Sequence, residues 1–308
     1  DIPIPEIPLQ RLLTDAAAKY PNKIAVRMVL KYLPLGLAVQ GKLRYRDLDR
    51  LSDQFAAALA GKLGVKKGDK VALMLPNIPQ HTIAYFGILK AGAVVVNTNF
   101  TYPAAELEPL MNVAEAQTVI TMSGLYDRVL QIQPKTAIKN IILTDIPEFV
   151  TKVLRNSVAK TVKAGGMMKD VTLKPGAYWM SDLLAQAPAK APAVTIDPKN
   201  DPAVFQFTGG TTGLPKAAEL THNNLVSNTY QLLAWVPSLV RGDEKMLCAL
   251  PGFHVYGMTV GILLSFALAG ELVLVPDPRN TSHSLEVIQR ERITLFPGVP
   301  TMYIAIIN

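Results

Sequence analysis

The sequence predicts an α/β fold of two doubly wound, mostly parallel sheets flanked by helices. Apolar runs of four to six residues alternate with longer helix-like stretches along most of the chain. Those runs are apolar at consecutive positions rather than at every second one, as expected of strands buried on both faces. A chain of 308 residues with 49% apolar and only 18% charged side chains also has apolar surface enough for a large core and two lobes.

Taken in order, "VLKYLPLGLAVQG" (29–41) reads as an apolar edge hairpin that either packs against the first lobe or touches lipid. In "RYRDLDRLSDQFAAALAGKLG", Leu48, Leu51, Phe55, Leu59 and Leu63 share one helical face, and Gly64 ends the helix. Strand "KVALML", helix "QHTIAYFGILKAG", strand "AVVVN", helix "YPAAELEPLMNVA", strand "QTVIT" and strand "NIILT" follow. The Pro/Ala-rich stretch 185–200 interrupts the alternation and is expected to link a first lobe, 1–184, to a second, 201–308. The second lobe reads as strand "AVFQFT", a helix from Asn223 capped by Thr221, strand "KMLCAL", a buried helix, strand "ELVLV", helix "SLEVIQRER" and strand "ITLF". The alternation is still running at "GVPTMYIAIIN", so this lobe is expected to be incomplete.

Composition bounds the function. The one cysteine, Cys248, has no intrachain partner, and no Cys/His cluster has metal-ligand spacing. The N-terminus lacks the basic start and apolar core of a signal peptide and has no initiator methionine, so a trimmed chain or a fragment is expected. The apolar run 255–270 is shorter than the roughly 20 residues of a membrane-spanning helix. The net charge is +7, and residues 151–176 carry Lys152, Arg155, Lys160, Lys163, Lys169 and Lys174 against Asp170 alone. Val150, Val153, Leu154, Val158 and Val162 follow helical spacing beneath those charges. A helix over 149–163 is therefore either a solvated face or a membrane-surface anchor. Nucleic acid is not an expected partner, because the basic patch has no interleaved aromatics.

The chemistry-bearing stretch is "FTGGTTGLPKAAELTHNN" (207–224), expected between a strand and a helix, where glycine-rich backbone offers free N–H groups to an anion. It is not a Walker loop, since no glycine pair has that spacing and Ala217 follows Lys216. It is not a dinucleotide fingerprint either, because the G-x-G-x-x-G spacing is missing. Thr208, Thr211 and Thr212 supply hydroxyls, Gly209, Gly210 and Gly213 allow close approach, and Lys216 adds a charge.

At these residues the chain resembles the adenylate-forming superfamily, whose signature reads roughly [ST]-[SG]-G-[ST]-T-G-x-P-K-G. "TGGTTGLPKA" matches it except at Ala217, where glycine is usual. "LRYRDLDRLS", "LKAGAVVVNTN" and "LPGFHVYGMT" resemble further motifs of that superfamily, and "LPNIPQHTIAYFGILKAG" and "RERITLFPGVPTMY" are similar to long-chain fatty-acyl-CoA synthetases. The resemblance implies the N-terminal domain of such an enzyme, incomplete at its C-terminal end and without the C-terminal catalytic lobe. It implies activation of a fatty acid by MgATP to acyl-adenylate and pyrophosphate, then transfer to coenzyme A.

By the same resemblance, Thr208, Gly209, Gly210, Thr211, Thr212, Gly213 and Lys216 surround the phosphates, with Thr208 also beside magnesium. His254 is the catalytic candidate at the border of the adenylate and acyl sites, and Val255, Tyr256 and Gly257 line the same wall. The tryptophan that gates the acyl tunnel in some members has no counterpart, since Gly257 and Met258 stand there. Any gate falls to Tyr256 or to another residue. His222 reads as a helix-start residue. Two other readings stand beside this one: an acyl-AMP ligase feeding a carrier protein, and an inactive fatty-acid or membrane-binding module. The expected setting is cytoplasmic, peripheral on the inner membrane surface, with a homodimer among the partners. Because the resemblance puts the adenine, ribose and C-terminal lysine groups beyond Asn308, residues 1–308 alone are expected to be inactive.

Overall fold

The computed structural model describes residues 2–208 and 216–307. Its strands are β1 (Ile24–Tyr32), β2 (Ala38–Arg44), β3 (Lys70–Met74), β4 (Val94–Asn97), β5 (Thr118–Met122), β6 (Asn140–Thr144), β7 (Ala177–Trp179), β8 (Pro202–Thr208), β9 (Lys216–Thr221), β10 (Lys245–Cys248) and β11 (Glu271–Leu274). They form a seven-stranded sheet, β7-β6-β5-β3-β4-β8-β9, and a four-stranded sheet, β10-β11-β1-β2. Pairing is parallel except at one edge of each sheet, where β9 runs against β8 and β2 against β1. Central strands such as β4 and β5 are buried at every position, which explains their unbroken apolar runs.

The two sheets share one core. Helix Pro79–Lys90 is buried at all of its positions and so shows no polar face. Phe86 meets Phe266 edge to face at 4.8 Å, and Tyr45 meets Phe266 at 6.0 Å, so aromatic contacts run from the helices of the first half to the helix before β11. Lys90, also buried, places its ammonium 2.6 Å from both Asp49 and Asp53 and ties that helix to helix Tyr45–Gly61. A second apolar cluster lies between the seven-stranded sheet and helices Ala104–Ala114 and Tyr126–Ile132, and a third beneath helix Thr281–Glu291.

Three expectations are corrected. Sheet membership does not change at 185–200: β8 and β9 complete the first sheet, while β1 and β2, from the N-terminal hairpin, belong to the sheet of β10 and β11. The reason lies in pairing across the chain. Buried Arg27 on β1 ion-pairs with Glu271 on β11 and, at 3.2 Å, with Glu291. Next, "ITLF" forms only a bridge, Met246 with Leu295, because too few of its residues lie alongside β10. Finally, Lys216–Thr221 is a strand, so the glycine-rich stretch joins two antiparallel strands rather than a strand and a helix.

Residues 145–164 are held by a buried polar cluster. The Ser123 hydroxyl lies 2.8 Å from Asp145, the Thr144 hydroxyl donates to Glu148 at 2.8 Å, and Gln80 donates to the Asp145 carbonyl at 2.7 Å. Burial pushes Asp145 up to about 6 and Glu148 up to about 7, despite hydrogen bonds that favour the charged forms. A raised carboxyl pKa means that the folded state binds more protons, so the contribution is complete below the ordinary value and is lost as pH rises through 7. Glu148→Gln should therefore raise stability at about pH 8 by on the order of 2–3 kcal/mol, and much less near pH 4.5. Urea denaturation at the two pH values checks this; an equal effect at both would show that ionisation of Glu148 is not the cause.

Candidate functional site

In an open parallel sheet, helices cover the faces and leave the carboxyl ends of the strands free to form crevices. Here the ends of β3 and β4 face the ends of β10 and β11. Between them lies a cleft of about 160 Å³ lined by Asn77, Asn99, Phe100, Phe253, Pro276 and Pro278. A second, largely apolar pocket of about 320 Å³ shares Ala249, Pro251 and Pro278 with it and extends past Arg279 to Phe296, Val299 and Met302.

The buried Asn77 amide joins the two sheets at this point. Its Nδ2 donates to the carbonyls of Cys248 (3.0 Å) and Leu250 (2.9 Å), and its Oδ1 accepts from the Gly252 amide at 2.9 Å. Gln206 on β8 does a similar task, donating to the Phe253 carbonyl at 3.3 Å, while Phe100 and Phe253 pack edge to face at 5.8 Å. The 251–256 loop is thus fixed to β3, β4 and β8 together. Sequence reasoning missed Asn77 and Gln206. A polar amide set between Pro76 and Ile78 at the end of an apolar strand was the only available signal for Asn77.

Thr208 ends β8 and Lys216 begins β9, directly opposite in the ladder, and both are exposed. The Thr208 hydroxyl donates to the Lys216 carbonyl at 3.2 Å. Gly209, Gly210, Thr211, Thr212 and Gly213 lie outside the described residues. Gln206, two positions before Thr208, contacts the residue next to His254, so the mouth of this hairpin and the histidine loop are neighbours. Thr221 caps helix His222–Trp235 as expected, accepting from the Asn224 amide at 3.2 Å. His222 itself is buried, and its Nδ1 accepts the Leu9 amide at 2.9 Å. Burial lowers it to about 4, so it is a neutral packing residue at neutral pH.

His254 is exposed at the end of the loop, and Val255 and Tyr256 are exposed in the helical turn that follows it. The His254 amide donates to the Pro251 carbonyl at 3.0 Å, and its Nδ1 accepts the Tyr256 amide at 3.3 Å, which leaves Nε2 free of the loop's own bonds. The Tyr256 hydroxyl donates to the Gly298 carbonyl at 3.5 Å, bridging to the lining of the larger pocket. Gly257 has no alternative: a Cβ there would lie 2.2 Å from the Pro251 carbonyl oxygen. A π-helical turn, Gly257–Leu263, begins at this glycine. Met258 inside it is buried, with its sulfur 3.3 Å from the Tyr85 hydroxyl and 3.2 Å from the Asn97 amide. Among the described residues no cluster of three or more acidic, His or Cys side chains could hold a metal, and no helix is long and apolar enough to cross a membrane.

The basic segment differs from its expected form. Residues Lys152–Leu154 make a 3-10 turn, and the α-helix begins at Arg155. Val150 and Val158 are buried, and Leu154 and Val162 are half-buried in a groove shared with the β1–β2 hairpin, so of the expected apolar stripe only Val153 stands fully exposed.

A sequence profile of the AMP-binding enzymes matches residues 13–308. The long-chain-fatty-acid–CoA ligase of Bacillus subtilis is 34% identical over 311 residues, covering all of this chain and 53% of the relative. The ligase of the same name from Escherichia coli O6:H1 is 34% identical over 271 residues, covering 86% of this chain and 47% of the relative. The chain thus spans about half the length of the curated relatives it matches. Among solved structures, a long-chain-fatty-acid–CoA ligase from Archaeoglobus fulgidus superposes with a TM-score of 0.81 at 23% identity, over 100% of this chain and 55% of that one, a likeness of fold.

Asn77→Ala would strand one amide and two carbonyls in the buried seam. It should cost at least about 2 kcal/mol of stability. Asn77→Asp should not rescue it, since a carboxylate would face the Cys248 and Leu250 carbonyls. Chemical denaturation of the two variants beside the wild type tests this; wild-type stability in either would mean that the seam is held by other contacts.

Proposed function

The chain belongs to the AMP-binding enzyme family, and from that premise we propose that the complete protein activates long-chain fatty acids with MgATP and passes the acyl group to coenzyme A. The observation that carries this reading is the neighbourhood of the Thr208/Lys216 hairpin mouth and the His254 loop at the strand ends, tied by Gln206 and Asn77. In the first step a carboxylate oxygen bonds to the α-phosphorus of ATP as the bond to pyrophosphate breaks. In the second, the coenzyme A sulfur bonds to the acyl carbon and AMP leaves.

Each residue has a role in that sequence. Lys216, with the amides and hydroxyls of Gly209, Gly210, Thr211, Thr212 and Gly213, would hold the β- and γ-phosphates and offset the charge that gathers on the leaving pyrophosphate. His254 would stand where the carboxylate meets the α-phosphate, its Nε2 free to donate to an oxygen there. Val255, Tyr256 and Gly257 would form the adjoining wall. Thr208 suits magnesium as a hard oxygen ligand: its hydroxyl proton is used on the Lys216 carbonyl, so its lone pairs point elsewhere. When bound, the ion would draw charge from the phosphate oxygens. The apolar 320 Å³ pocket beyond Tyr256 is of the kind an acyl chain would fill. A long-chain acid partitions into bilayers, and the same reading includes peripheral contact with the cytoplasmic membrane surface through residues 149–163.

Lys216→Ala should remove one charge-assisted contact to the leaving group, about 1.5–3 kcal/mol, and slow acid-dependent pyrophosphate exchange roughly ten- to a hundredfold. The side chain is exposed, so the melting temperature should not move. Wild-type exchange in this variant would remove Lys216 from the mechanism.

A further inference from the structure

The two apolar segments that stood apart in sequence meet in space. Leu30, Leu33 and Val39 of the β1–β2 hairpin and Leu154, Val158 and Val162 of the basic segment line one groove of about 340 Å³. Beside that groove are side chains that none of the described residues covers. Leu35 is 97% exposed, Leu37 62% and Val153 88%. Leu35 is also held at φ 61, ψ 25, a left-handed conformation that costs a leucine free energy, and the adjacent Gly36 has φ 75. A strained turn that points a large apolar side chain into water is stable in isolation only at a cost, which implies a surface that receives it.

Within the two segments that carry these side chains the charges are of one sign, although Asp277 and Glu286 line the pocket on the other side of Lys31. Neither 29–41 nor 149–164 contains an acidic residue. Lys31, Lys152 and Lys160 are exposed and form no ion pair among the described residues. Arg155 spends its donors on the carbonyls of Val150 and Glu148, so its charge is not neutralised. Lys163 differs, being paired with Asp170 at 2.7 Å. Protruding leucines within a ring of lysines complement an apolar layer beneath an anionic one.

We propose that the hairpin tip, Leu35–Leu37, and the turn at Lys152–Leu154 together dock the protein on an anionic lipid bilayer, with Leu35, Leu37 and Val153 entering the interface and Lys31, Lys152 and Lys160 meeting the headgroups. The inference rests on the fatty-acid reading for its purpose, but it moves the contact from the helical stripe, which packs inward, to the exposed tip. The basic helix supplies charge to this surface; the hairpin supplies most of the insertion.

The test is co-sedimentation of the complete protein with vesicles of phosphatidylcholine, alone or with about one third phosphatidylglycerol, at low and high salt. The wild type should prefer the anionic vesicles by about tenfold or more and lose that preference in high salt. Lys152→Glu with Lys160→Glu should abolish the preference, and Leu35→Asp with Val153→Asp should reduce binding by a similar factor. Milder Leu35→Ser and Val153→Ser changes serve if the aspartates disturb folding. All four side chains are exposed, so melting temperature and pyrophosphate exchange with a short, soluble acid should be unchanged. Wild-type binding that the Leu35 and Val153 variants retain, or that is equal on neutral and anionic vesicles, would overturn the proposal. Absence of exchange with intact, salt-sensitive binding would instead overturn the ligase reading and leave the bilayer surface standing.

Discussion

Arg27 sits where the molecule could most easily come apart. It is buried on β1 and lies between Glu271 on β11 and Glu291 at the end of the helix that follows, with Gln40 accepting from it at 3.1 Å. Stripping water from three charges is expensive, and such a group returns the cost only if every partner is in place. Its partners come from a part of the chain more than 240 residues away. The four-stranded sheet therefore closes only when β1 and β2 find β10 and β11, more than 200 residues further along the chain. Everything between must already be compact enough to bring them together. Replacing Arg27 would leave two buried carboxylates facing each other, whereas loss of either glutamate leaves Arg27 its other partner, so the arginine is the member that fixes the register.

This arrangement explains why the candidate site is where it is. Distant segments that complete one sheet place the carboxyl ends of β10 and β11 against those of β3 and β4, and the seam needs polar groups wherever loop backbone is buried. Asn77 satisfies three such groups with one side chain. The consequence is mechanical: the His254 loop cannot shift without disturbing Asn77 or Gln206, and through them the strands that end beside the mouth of the β8–β9 hairpin. A hydrogen-bonded seam fixes the loop more directly than apolar packing does, because its contacts depend on angle as well as distance.

Much of this was legible in the sequence. Central strands such as β4 and β6 declare themselves because burial on both faces demands consecutive apolar residues, and helix Tyr45–Gly61 does so because only one of its faces is buried. Partner choice was not legible. Periodicity reports how a segment is buried, not which sheet buries it, and so the hairpin and the strands after 200 were assigned to the wrong neighbours. Edge strand β9 escaped for a related reason: in "KAAELT" no position is fully buried, so no apolar run marks it. In the candidate site, Thr208, Lys216 and His254 stood out by motif. Asn77 and Gln206 did not, because a side chain that only satisfies backbone groups depends on loops brought together by folding.

The core also has an uneven polar side. His81 Nε2, Gln80 Oε1, Asn97 Oδ1 and Thr121 Oγ1 are buried without a protein hydrogen-bond partner among the described residues, and the first three belong to elements that lead to the cleft. Burial alone holds His81 at about 4, so it is neutral under ordinary conditions and stacks on Tyr85, whose hydroxyl finds only the Met258 sulfur. A thioether is a weak acceptor, and Asn97 leans on the same atom. Polar groups served this poorly cost stability that an apolar core would not lose. Tyr85 and Asn97 meet the π-helical turn that begins at Gly257 through Met258, behind the His254 loop. On the Asn77 side of the cleft the buried polar groups of loop and strand end are paired, whereas behind the π-helical turn apolar packing has to compensate for polar atoms that no described residue satisfies.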